Sequence, residues 1–160
     1  MAKQKSFYTT QFWLLCASSV LFMASFNMLL GELPHYLDSI GGQAYKGLII
    51  GLFALAALFS RPFSGRLSDT IGRVPVMIFG AFVCIAAGFI YPLLTTISGF
   101  LILRFLHGFS TGFKPTGTTA YLADIIPPNK RGEAMGILGV AGSIGMAAGP
   151  AFGSYIANVY

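Results

Sequence analysis

The chain has 160 residues, of which 55% are apolar and only 9% charged, with ten Lys and Arg against five Asp and Glu and a mean hydropathy of +0.73. A soluble domain carries about 25% charged residues, so this chain has too little polar surface to cover a globule in water, and lipid must surround most of it. The basic excess does not make a nucleic-acid surface, because the cations punctuate the ends of apolar runs instead of clustering among exposed aromatics.

Crossing the roughly 30 Å hydrocarbon core takes about 20 mostly apolar residues in a helix that rises about 1.5 Å per residue. Five segments qualify, over residues 12–33, 46–63, 74–94, 99–123 and 134–157. Their apolar runs are continuous rather than alternating with period two, which predicts helices and not a membrane β-barrel. The predicted fold class is therefore all-α integral membrane.

The first apolar run, 11–31, is 21 residues long with no A-x-A-like site after it. A signal peptide's apolar region is about 7–15 residues, so this run reads as a retained span. Asn27 lies inside it, either as a substrate contact or as helix-to-helix glue. Glu32 ends it beside Pro34, either as a protonatable carboxylate or as a charge at the outer rim.

The second span leads into Gly65-Arg66-Leu67-Ser68-Asp69-Thr70-Ile71-Gly72-Arg73, read as the connection to the third. There Gly65 lets two helix ends approach, and Gly72 permits a positive φ in a tight turn. Asp69 can cap a helical turn or pair with a cation, and Arg73 offers a planar fork of five donors. Cys16 and Cys84 sit inside apolar runs, which argues against a disulfide framework.

The fourth span carries charges in its interior. Arg104 and Lys114 each cost at least about 2.5–3.5 kcal/mol on insertion scales. His107 follows Arg104 by three residues and precedes Lys114 by seven, so the three share one helical face. This reads as a cationic stripe facing one cavity, in contact with an anionic group or a proton-carrying acid, where a neutral His can relay protons. The blander reading is snorkelling or a structural ion pair. In the fifth span, Gly145, Gly149 and Gly153 continue a four-residue repeat from Ala141, a smooth face that lets backbones pack closely. Pro150 removes the hydrogen bond to Met146 and predicts a kink. Trp13, Tyr8, Tyr36, Tyr45, Tyr91 and Tyr160 fall near predicted rims, as interfacial belts do.

The connections alternate in charge. Lys3, Lys5, Arg61, Arg66, Arg73, Lys130 and Arg131 gather on one side of the predicted membrane, seven Lys and Arg, against Lys46 alone on the other. By the positive-inside rule the N-terminus is cytoplasmic and Tyr160 ends on the opposite side. Stopping at the rim of a fifth span, the chain reads as an interrupted one.

The stretch from Gly65 to Arg73 resembles the signature G-x-L-x-D-x-x-G-R of the major facilitator superfamily, which lies between that family's helices two and three. Two further likenesses follow in order. Arg104 to Gly108 with the terminal Asp124 is similar to the fourth helix of the family. Gly136, Gly145, Gly149-Pro150 and Gly153 are similar to the fifth-helix pattern of its proton-coupled antiporters, with Ser154 where that pattern has another Gly. The basic residues many members carry after the signature are replaced by Val74 and Pro75.

The resemblance implies the first five helices of an N-terminal six-helix half. The partners it implies are the lipid bilayer, a small-molecule substrate, the proton and a missing C-terminal half. It also implies that Asp69 faces that half, that Arg73 pairs with Asp124 as a cytoplasmic latch, and that the fifth-helix glycines form a seam against it. Proton-coupled export of a small organic compound by alternating access is the expected activity. Uptake by symport is the alternative direction; a membrane scaffold, partner subunit or inactive fragment is the alternative class. An enzyme is not expected, because His35 and His107 lie near no nucleophile or metal-ligand cluster, and no cofactor or metal is expected either.

Overall fold

The computed structural model describes residues 8–159, with side chains through residue 156. It consists of five long helices: α1 (Thr10–Ser39), α2 (Lys46–Ile71), α3 (Arg73–Ile90), α4 (Ile97–Ile125) and α5 (Arg131–Val159). Single 3-10 turns at Gln43–Tyr45, Tyr91–Leu93 and Pro128–Lys130 complete the connections, and no strand occurs among the described residues. Two helices start on hydroxyl caps: the backbone N–H of Phe12 donates to Thr9 Oγ1, and that of Gly99 donates to Thr96 Oγ1. Each satisfies a donor that the first helical turn would otherwise leave open.

The helices outrun their apolar runs. α1 continues through Pro34 to Ser39, and α2 continues through Pro62 to Ile71. At about 1.5 Å per residue, both project well past the hydrocarbon core. Residues 65–71, read from sequence as part of a loop, are thus the last two turns of α2. The link to α3 is Gly72 alone, at φ 99°, a backbone conformation that costs glycine little and other residues a great deal.

By length and apolarity, α1, α2, α3 and the stretch Pro128–Ile156 are able to span a membrane. α4, at 29 residues, is long enough but is not among them, because it carries Arg104, Lys114, Asp124 and a run of Ser and Thr. Its position accounts for that composition. It packs along both α2 and α3, while α5 packs along α1, and it buries more residues than α1, α2 or α3.

Two apolar clusters tie the pairs together at opposite ends. One joins Phe12, Leu15 and Cys16 of α1 to Leu122 of α4 and Ala134 and Leu138 of α5. The other joins Leu33 and Leu37 to Ile49, Phe100 and Tyr91. The outward surface carries Leu21, Phe63, Phe82, Phe89 and Phe152, all largely exposed; so much contiguous apolar surface is what a lipid-facing protein presents.

Candidate functional site

At one end of the molecule, three helix termini converge on a single guanidinium. Arg73, the first residue of α3, donates from Nε to Asp124 Oδ2 in the last turn of α4 at 2.9 Å. Its Nη1 donates to Asp69 Oδ1 in the last turn of α2, and to Ser68 Oγ at 3.3 Å. One planar fork therefore bridges two acids from two helices, and Gly72 is the turn that brings it there. Asp69 remains 70% exposed on its side chain, so this arrangement still offers a carboxylate outward. Gly65 does not serve as the close-approach point expected of it: a Cβ there would meet nothing within 4 Å.

Beside this triad, Glu133 in the first turn of α5 accepts from Lys130 Nζ and from the Tyr8 hydroxyl, both at 2.7 Å. Donation to that carboxylate holds the Tyr8 phenol above its ordinary pKa. The far end carries the pair Lys46–Asp38 at 2.7 Å. Lys3, Lys5 and Tyr160 lie outside the described residues.

Inside the bundle, α4 buries Arg104 and His107 completely and leaves Lys114 5% exposed. Arg104 donates from Nε to the Ile49 carbonyl at 2.8 Å and from Nη1 to Tyr91 Oη at 3.5 Å. Its guanidinium stacks 4.7 Å from the centre of the Phe53 ring. Tyr91 Oη in turn lies 3.3 Å from His107 Nδ1. Arg104 Nη2, His107 Nε2 and Ser110 Oγ are buried without a hydrogen-bond partner among the described residues. Lys114 stands apart: its Nζ donates to the Ser18 carbonyl at 3.1 Å and to Ser19 Oγ at 3.4 Å, 5.0 Å from the Phe22 ring centre. The expected single cavity for all three cations is not what forms. Lys114 lines voids toward α5 and toward α3, His107 lines a different one, and Arg104 is sealed between α2 and α4. Ten residues, about 15 Å of helix, separate the two cations despite their shared face.

Asn27 is buried and back-bonds from Nδ2 to the Met23 carbonyl at 2.8 Å, along a cavity shared with Arg61 and Thr111. Glu32 is half-buried and has no ion-pair partner among the described residues. The glycine stripe of α5 packs on α1. A Cβ at Gly149 would lie 2.6 Å from the Ala24 carbonyl oxygen, and one at Gly153 would lie 2.6 Å from that of Met28. Gly145 packs in the same way against Val20 and Met23. Gly136 does not belong to this face, since its position is open. α5 runs unbroken through Pro150, which is exposed.

Sequence reading missed two groups. Tyr91, assigned to the interfacial belt, is buried as the bridge between Arg104 and His107; its position at the end of an apolar run resembles that of any rim tyrosine. Ala56, Ser60, Ser64 and Ser68 form a buried four-residue repeat on α2 against α4, with Ser64 Oγ donating to the Gly112 carbonyl at 2.7 Å. Applied to serine, the periodicity used for α5 finds them.

A family profile described as Major Facilitator Superfamily matches residues 15–160. Multidrug resistance protein 2 of Bacillus subtilis is 30% identical over 99% of this chain and 40% of its own length. An uncharacterized MFS-type transporter of Methanocaldococcus jannaschii is 31% identical over 88% of this chain and 38% of its own. The quinolone resistance protein NorA of Staphylococcus aureus is 26% identical over 93% of this chain and 39% of its own. The chain thus spans about two-fifths of the length of the curated relatives it matches.

Proposed function

The chain belongs to the Major Facilitator Superfamily, a family of transporters and not of enzymes, and from that premise we propose that it supplies the N-terminal helices of a secondary transporter. In this reading the transporter exports a small organic compound in exchange for protons, and these five helices rock as a body against a C-terminal half. α4 is the fourth of the five spans, covered in large part by α2 and α3, and the end carrying Arg73 faces the cytoplasm of a cell membrane.

The observation that supports this best is the Asp69–Arg73–Asp124 bridge. Three helices meet there at one end, in contacts that are partly open to water. Ion pairs so placed hold weakly, which suits a latch that opens in every cycle. Asp69, mostly exposed, is the carboxylate that would reach the other half, while the buried Arg104, His107, Lys114 and Asn27 and the half-buried Glu32 supply the polar groups of the pathway. Relatives named for multidrug and quinolone resistance favour export over uptake.

The test is Asp69→Asn in the full-length transporter. Proton-driven flux in everted vesicles should be abolished, with membrane insertion and yield unchanged. Flux at the wild-type rate would remove the latch. Accumulation confined to right-side-out vesicles would reverse the direction.

A further inference from the structure

Two cations buried in this bundle, Arg104 and Lys114, have no carboxylate partner among the described residues, and of the two Lys114 lines a cavity. The chain contains five acidic residues. Asp38 pairs with Lys46, Asp69 and Asp124 pair with Arg73, and Glu133 pairs with Lys130. The fifth, Glu32, lies thirteen residues along α1 from Ser19, roughly 20 Å at helical rise. Among the described residues no carboxylate serves the Lys114 ammonium, although its residue is only 5% exposed. Burying a cation with only neutral partners is costly, and the cost falls when an anion joins it.

The surroundings of Lys114 specify what kind of anion. Between α1, α4 and α5 it lines a cavity of about 280 Å³ with Ser19, Met23 and Met146. Two of its three N–H groups are engaged, by Ser18 and Ser19, which leaves one to donate; Ser19 lines this cavity, and Ser18 lines the second void beside Lys114, toward α3. Ser19 Oγ accepts from Lys114, so its own proton remains for a second acceptor. The hydroxyls of Thr118 and Ser143 are turned onto backbone carbonyls of their own helices and do not compete. The rest of the wall is largely apolar and includes three methionines, Met23, Met135 and Met146, side chains that adapt to varied shapes. A neighbouring cavity, which shares Met23 and Met146, is lined by Arg61, and neither cavity is lined by an acid.

We propose that this cavity is a binding site for the carboxylate of an organic anion, held by Lys114 and Ser19, with its apolar body against the methionines. The proposal rests on the transporter reading above and adds to it the substrate class. A compact ammonium that presents one donor beside one hydroxyl matches the two oxygens of a carboxylate, and charge-assisted hydrogen bonds are the strong ones. An organic cation placed here would meet Lys114 with no acid in the lining to offset it.

The experiment is equilibrium binding to the detergent-purified full-length transporter, by titration calorimetry without any gradient, using 2-naphthoate and 2-naphthylmethylammonium as a matched pair. Naphthoate should bind at least about tenfold tighter. Lys114→Met should erase that preference, and Lys114→Arg should retain most of it. Equal or tighter binding of the ammonium overturns the proposal, as does full naphthoate affinity in a folded Lys114→Met protein. Absence of naphthoate binding also overturns it, since an acid from elsewhere in the transporter then neutralises Lys114. If Lys114→Met fails to fold, the wild-type pair decides alone. Because no gradient is applied, loss of proton-driven export leaves this result standing, and export of cations only would remove this site while leaving the transport reading intact.

Discussion

Arg73 is held by two acids from different helices, and its geometry explains why an ammonium is a poor substitute. The guanidinium donates to Asp124 through Nε and to Asp69 through Nη1, two directions fixed in one plane. Lysine at this position can point its charge at either acid but has no rigid fork to hold both. Arg73→Lys in the full-length transporter should therefore transport more slowly than wild type, and Arg73→Ala more slowly still, at equal yield. Wild-type flux in Arg73→Lys would mean that charge alone suffices. Arg104 makes a different case, since its partners are a carbonyl, a phenol and the Phe53 ring. Arg104→Lys gives up the stacked, multidentate contact and should destabilise the protein by about 1–3 kcal/mol, read from unfolding in mixed micelles. The helical spacing of Arg104 and His107 told that they share a face. It did not tell that Tyr91 joins them, because that contact comes from the approach of a separate helix end.

The five helices were legible as elements because a long, continuous apolar run with no period-two alternation favours helix. Their ends were not, because helix continues wherever backbone hydrogen bonding does, whatever the side chains. Residues 65–71 carry polar groups like a loop and still complete α2. Close packing was legible only in part. Gly145, Gly149 and Gly153 meet the backbone of α1, whereas Gly136, just as much a glycine in the sequence, faces open space. The two positions should respond in opposite ways. Gly149→Leu forces α5 off α1 and should cost about 1–3 kcal/mol. Gly136→Ala should be neutral or stabilising by up to about 1 kcal/mol, through helix propensity alone. Equal melting temperatures for the two variants would contradict this packing. Ser64→Ala, which removes the cross-helix bond to Gly112, should cost about 0.6 kcal/mol, the average for such bonds in membrane bundles.

At the scale of the molecule, charge is sorted by end. Arg66, Arg73, Lys130 and Arg131 lie toward the end where α2 stops and α5 starts, and Lys46 lies at the other. If that end is cytoplasmic, single cysteines at Asn129 and Gly41, in a background lacking Cys16 and Cys84, should label oppositely with an impermeant maleimide. The first should react only in everted vesicles and the second only in intact cells; the reverse pattern would invert the topology. α4 is the element whose place the apolarity of the sequence conveys least. Its polarity belongs to the bundle's interior, and only the neighbours that cover it make it compatible with lipid.

The single-residue link at Gly72 couples the two helices it joins. A connection of one residue leaves no slack between the two folded helices, so a shift of α2 along its axis carries the start of α3, and with it Arg73, along. Folded, the two form one antiparallel pair whose closed tip carries Arg66 and Arg73.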